Sequence, residues 1–266
     1  MMEKLIAELK RLYLLEDQEC FPAGELTPEM LAQHLGGEKT IALNLVSDNG
    51  LVRTMIVDFN RMGDAPALQH WDRLCGVANA LQDQLGLPAP AVSINGGNGY
   101  ALWLSLERPV PLNQAQHFLH LLRKTYFPDI PNEEIGLRPD TLTSTTAELP
   151  PCLHMGSGTW AAFINPGMGA SFADDTGLEM MPPYAAQAAF LEGLQGISDK
   201  QFTQAITIMH PPHGKERTHK TPTPAAHSAP AGLLLKDATL EDIIQHLHEK
   251  NIEPTFRHVI PKDSFS

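Results

Sequence analysis

Apolar residues recur along this chain at two spacings, and the two spacings predict interleaved helices and strands. Leu5, Ile6, Leu9, Leu12 and Tyr13 share one side of a helical wheel, which predicts an amphipathic helix over residues 3–15. Thr27-Pro28-Glu29 offers a capping hydroxyl and an N1 proline, so a short helix should begin there and end near Gly36-Gly37. Met55-Ile56-Val57 is a short apolar run suited to a buried strand, and it stops at Asp58. From Ala65 to Leu85 the residues Leu68, Trp71, Leu74, Val77, Ala78 and Leu81 keep helical spacing. Tyr100-Ala101-Leu102-Trp103-Leu104 returns to strand character. A turn is expected at Arg108-Pro109-Val110-Pro111, and a helix from Asn113 to Tyr126. Near the end, Thr239 caps a helix whose apolar stripe is Leu240, Ile243, Ile244 and Leu247.

Composition turns this pattern into a domain plan. With 266 residues and 42% hydrophobic content, the chain can bury a substantial core. Residues 1–200 should form the folded domain. A linker rich in Pro, His, Thr and Ala follows over 201–232, then a short helical tail over 233–266. No apolar run is long enough to span a membrane, and Met1-Met2-Glu3-Lys4 does not begin a secretory leader. Cys20, Cys75 and Cys152 are odd in number and widely spaced, which suits buried reduced thiols in a cytoplasmic protein.

A net charge of −12 argues against broad attraction to a polyanion. Arg53, Arg61, Arg108, Arg123, Lys124 and Arg138 are scattered, and read either as a local positive groove or as solvated surface charges. The concentrated basic segment is in the linker, where Lys215, Arg217 and Lys220 form the expected nucleic-acid-binding arm. The neighbouring His210, His213, His219 and His227 lack the cysteines or strand context of a zinc site.

Two stretches carry candidate chemistry. Asp58 and Asn60 lie two apart at a strand end, so both face the same way. A carboxylate pair so spaced can hold magnesium through oxygen, although Asn60 brings a carbonyl oxygen without charge. The same residues also read as a strand end followed by a polar turn. The second stretch is Ser93-Ile94-Asn95-Gly96-Gly97-Asn98-Gly99-Tyr100, where glycine and asparagine tolerate positive φ. It reads equally as a tight hairpin turn and as a glycine-rich turn whose amides approach a phosphate. It is neither a Walker loop nor a dinucleotide-binding fingerprint, because no Gly-Lys-Ser/Thr follows and a strand comes next.

The order of these elements resembles the catalytic core of the archaeo-eukaryotic primase (primase-polymerase) superfamily, over residues 25–195. Asp58-Phe59-Asn60, a helix, and Ser93 to Leu106 stand in the family's order. A proline-containing turn, a helix and Ile135-Gly136-Leu137-Arg138-Pro139-Asp140 come next. Glu148 to His154 and Gly158 to Phe163 resemble its later strands. His34-Leu35-Gly36-Gly37 and Thr40 to Leu43 are similar to the segment before the first motif in primase domains of mobile-element and defence systems. The resemblance implies an α+β fold, primase-like (RRM-like), with a mostly antiparallel sheet and flanking helices. It implies catalytic Asp58 and Asn60, with Asp58, Asn60 and Asp140 as ligands of Mg2+ or Mn2+. It further implies nucleotide binding by Ser93, Asn95, Gly97, Asn98, Gly99, Arg138 and His154, and nucleic acid, or another protein of the same system, as partner.

The departures from the family pattern fall on its chemistry. Asn60 stands where a second carboxylate is expected, Ala101 where a phosphate-contacting histidine is expected, and Gly136 where the third carboxylate falls. A shifted alignment would bring Glu133, Glu134 or Asp140 to that third place. Two-metal phosphoryl transfer needs clustered anionic ligands, and losing one catalytic contact costs on the order of a hundredfold in rate. The expectation is an impaired nucleotidyltransferase site that still binds nucleic acid or a nucleotide. The alternatives are a working primase-polymerase and a non-catalytic protein-interaction subunit.

Overall fold

The computed structural model describes residues 1–210, apart from 22, 23, 64 and 67. The chain runs α1 (Met2–Leu12), β1 (Glu19–Phe21), β2 (Gly24–Glu25), α2 (Pro28–Leu35), β3 (Ala42–Asn44), β4 (Leu51–Asn60), α3 (Gln69–Asp83) and β5 (Ala91–Ile94). It continues through β6 (Gly99–Pro111), α4 (Leu112–Tyr126), β7 (Ile135–Arg138), β8 (Thr146–Glu148), β9 (Cys152–Leu153) and β10 (Trp160–Ile164). A 3-10 segment (Pro166–Phe172), α5 (Tyr184–Glu192) and α6 (Asp199–Met209) complete it.

The fold is α+β, and the strands of both sheets pair antiparallel. Six strands form the main sheet in the order β7-β4-β6-β5-β10-β9, and four form a smaller one, β2-β1-β3-β8. Alternation along each main strand divides the core in two. Met55, Val57 and Phe59 of β4, with Tyr100, Leu102 and Leu104 of β6, pack beneath α3, α4 and α6. Ile56, Ala101, Trp103 and Phe163 face the other way, into a core shared with α1, α5, α2 and the small sheet. The central strands are therefore apolar on both faces, and Asp58 interrupts that run on the second face.

Local signals explain most boundaries. The Thr27 hydroxyl accepts from Met30 N at 3.2 Å with Pro28 behind it, which starts α2 where the cap predicts. Leu5, Leu9 and Leu12 are the buried face of α1. The turn expected at 108–111 is instead part of β6. Val52 pairs with Val110 but Thr54 pairs with Ser105, so the strand bulges there rather than reversing. Ile197 takes up the detour, donating to Ser105 O and accepting from Glu107 N.

The linker expected over 201–232 begins inside α6. The Ser198–Gln201 capping box starts that helix, and Phe202, Ala205 and Met209 bury its inner face. The rest of that linker, the tail at 233–266 and the helix capped by Thr239 lie outside the described residues, as do Lys215, Arg217 and Lys220. Among the described residues all three cysteines are thiols, and burial pushes Cys152 well above the ordinary thiol range. No described helix is long and apolar enough to cross a membrane.

Candidate functional site

The second face of the main sheet opens into a cleft of about 460 Å³ against the small sheet. Strand register sets its floor. Gly136, Asp58, Ala101, Ser93 and Phe163 form one row across β7, β4, β6, β5 and β10. Residues directly opposite one another point to the same face, so this row brings Asp58 and Ser93 onto one surface with Ala101 between them. Arg138 lies on that face because it is two residues from Gly136. Asn95, Gly97 and Asn98 enter from the β5–β6 turn, and His154 from the β9–β10 turn. Thus Asp58, Ser93, Asn95, Gly97, Asn98, Arg138 and His154, all singled out from sequence, line one cleft.

The strongest interaction in the cleft is between two of them. Arg138 Nε donates to Asp58 Oδ2 at 2.8 Å, and Arg138 Nη2 donates to Asp58 Oδ1 at 2.5 Å. Arg138 Nη1 donates to Thr146 O at 3.0 Å, which ties the pair to the small sheet. The side chains are 13% exposed for Asp58 and 24% for Arg138, so solvent screens this fork only in part. On the far side of β6, Trp103 Nε1 donates to the buried Ser93 hydroxyl at 2.9 Å.

The three glycine amides of the turn are already satisfied. Gly96 N donates to Thr176 O at 2.8 Å, and the Asn95 side-chain oxygen accepts from Gly97 N at 2.8 Å and from Gly99 N at 3.1 Å. The turn is a hairpin closed by its own asparagine, which engages the Gly97 and Gly99 amides. Gly96 has φ 72°, and a Cβ there would stand 2.8 Å from His154 Cβ, so glycine is required. Gly99 does not line the cleft; it lets β6 pass the Phe59 carbonyl, with which a Cβ would collide. His154 Nδ1 accepts from Ser157 N at 3.2 Å, which directs the ring proton of the neutral imidazole to Nε2.

The expected metal ligands do not converge. Both Asp58 oxygens are held by Arg138. Asn60 Nδ2 donates to Glu133 O at 3.2 Å, away from the cleft lining. Asp140 accepts from Leu142 N and the Thr143 hydroxyl, and lines a separate cavity of about 520 Å³ beside α4. Of the alternatives for a third carboxylate, Glu134 is ion-paired with Arg73. Among the described residues no three His, Cys, Asp or Glu side chains gather as ligands. These residues do not fit Mg2+ or Mn2+, which need clustered oxygen donors.

The scattered cations are mostly committed elsewhere. Arg53 donates to Arg11 O, Arg123 to Ile135 O and Ile130 O, and Arg108 pairs with Asp199. Arg138 alone of the six suggested from sequence lines the cleft. Sequence reasoning did not single out Ser144, Thr146 and Glu148, which complete the wall. They belong to β8 and the loop before it, and nothing in their spacing announces that β8 pairs with β3.

No protein-family model and no curated protein matches the sequence. Among solved structures the chain is similar to the AEP domain of the cyanophage S-2L primase-polymerase (PrimPol), at 14% identity and a TM-score of 0.41. That overlap covers 72% of this chain and 98% of the phage domain. The chain is also similar to the polymerase domain of Mycobacterium tuberculosis ligase D, solved in complex with DNA, at 16% identity and a TM-score of 0.38. There the overlap covers 56% of this chain and 58% of the other. At that extent of overlap the assignment of the site rests on its own residues.

Proposed function

We propose that the chain is a primase-like domain with an impaired nucleotidyltransferase site, one that binds a nucleotide or nucleic acid in the cleft without efficient transfer. The motif order supports the family. The placing of Asp58, Ser93, Asn95, Arg138 and His154 around one cleft supports a ligand site there. The observation that carries the reading is the Arg138–Asp58 fork. A guanidinium supplies fixed positive charge beside Asp58, but it offers no open coordination position at which an attacking hydroxyl could lose its proton. By the resemblance, the setting is replication, a mobile element or defence, and the cysteine usage suits the cytoplasm.

Primer synthesis with magnesium or manganese, run beside Asp58→Ala, tests this. We expect no Asp58-dependent incorporation of nucleotides, together with measurable nucleotide binding. Robust incorporation that disappears in Asp58→Ala would refute the impaired site and establish a working primase-polymerase.

A further inference from the structure

We infer that the cleft takes a planar ligand of low charge, a nucleoside or nucleoside monophosphate, and binds it without a divalent metal ion. This rests on the nucleotide-binding reading above and narrows it.

The first ground is the supply of donors. A triphosphate needs several donors or cations converging on it. The amides of Gly96, Gly97 and Gly99 already donate within the protein. Arg138 has its charge met by Asp58, and its Nη1 donates to Thr146 O. His154 has its Nδ1 occupied by Ser157 and leaves Nε2 for a ligand.

The second ground is the sign of the remaining charge. Asp58 and Arg138 cancel, which leaves Glu148 as the other ionised group of the lining, and it is exposed. Each phosphate added to a ligand increases its repulsion from that carboxylate.

The third ground is shape. Ala42, Ala101, Ala147 and Ala161 each bring a single methyl to the lining, and the hollow they leave is about 460 Å³. A flat ring can lie against methyls and backbone there, and the Ser144 and Thr146 hydroxyls on the wall suit the heteroatoms of a base or sugar.

Calorimetric titration of the full chain tests the inference. The probes are adenosine and the four ribonucleoside mono- and triphosphates, each in EDTA and in excess magnesium. We expect at least one monophosphate to bind about tenfold or more tighter than its triphosphate in EDTA, and magnesium to change the monophosphate affinity less than about twofold. Glu148→Gln, on an exposed side chain, should narrow the gap between them. Tighter triphosphate binding, a requirement for magnesium, or a gap unchanged in Glu148→Gln each overturns the inference while leaving the nucleotide reading in place. Failure of every nucleoside and nucleotide to bind overturns both.

Discussion

Asp58 and Gly136 face each other across the β4–β7 ladder, so closely that a Cβ on residue 136 would lie 3.1 Å from Asp58 Oδ2. The missing side chain leaves the Asp58 carboxylate room to turn toward Arg138, two residues further along β7. By resemblance, this is the position where a third carboxylate belongs. Gly136→Ala should therefore crowd the fork and destabilise the fold by about 1 kcal/mol, read by urea denaturation. Gly136→Asp would set a like charge against Asp58. Its melting temperature in EDTA should fall below that of Gly136→Ala, and manganese should raise it while leaving the unchanged protein unaffected. A Gly136→Asp melt insensitive to manganese would mean that Arg138 keeps Asp58 even against a competing carboxylate.

The fork itself can be weighed by a double-mutant cycle. Arg138→Ala leaves Asp58 as a largely buried carboxylate without its cation, and Asp58→Ala does the converse to Arg138. With partial exposure discounted, each single change should cost about 2 kcal/mol. The double variant should lose clearly less than the sum, with a coupling of about 1–2 kcal/mol. Additive losses in chemical denaturation would show that the two side chains contribute through packing and not through each other.

What the sequence made legible here follows the range of each signal. The cap at Thr27, the stripe of α1 and the apolar run ending at Asp58 are local, and each lies where its residues predict. The cleft was legible as a set because the order of Asp58, Ser93, Arg138 and His154 resembles that of a known family. The Arg138–Asp58 fork was not, because it depends on the register of β7 against β4, at a sequence separation of 80. The commitment of Asn95 to Gly97 and Gly99 was hidden for another reason: a phosphate-binding turn and a self-capped hairpin use the same residues. The start of α6 had a readable signal in Ser198-Asp199-Lys200-Gln201 followed by Phe202, Ala205 and Met209 at helical spacing. The composition of the linker beyond it obscured that signal.

His34 predicts a pH dependence. Its ring is fully buried, with Nδ1 accepting from Ile41 N at 3.1 Å and Nε2 donating to Leu149 O at 2.7 Å. Burial holds its pKa below the ordinary histidine value of 6.5. As pH falls below that value, the unfolded chain takes up the proton before the folded one does. The stabilisation is therefore complete above about pH 6.5 and is lost toward acid, by up to about 1.4 kcal/mol for each pH unit until the folded ring also titrates. Burial lowers the His70 pKa as well, so His70 acts in the same direction. The comparison that isolates His34 is the native chain against His34→Gln, by denaturation at neutral and acid pH. The variant should be less stable at neutral pH and less sensitive to acid. Equal acid sensitivity in the two proteins would remove His34 as the source.

Asn95 offers the most direct test of why the cleft should reject a triphosphate. Its side-chain oxygen accepts from two amides, at Gly97, which lines the cleft, and at Gly99 beside it. Asn95→Ala removes that acceptor. Because the turn is partly exposed, water can replace some of the lost bonding, and the stability cost should be about 1–2 kcal/mol. The freed N–H groups should then donate to a phosphate oxygen in place of the Asn95 amide oxygen. Pyrophosphate without metal should accordingly raise the melting temperature of Asn95→Ala and leave the native protein where it was. Asn95→Asp separates the roles of acceptor and charge. It keeps an oxygen for both amides, so stability should be close to native, and its added negative charge should repel pyrophosphate further. If Asn95→Ala is as stable as the native chain and equally indifferent to pyrophosphate, the turn is held by the Gly96–Thr176 bond and the strand ladder alone, and the expected weakness of phosphate binding would have to come from Glu148 and the neutralised Arg138.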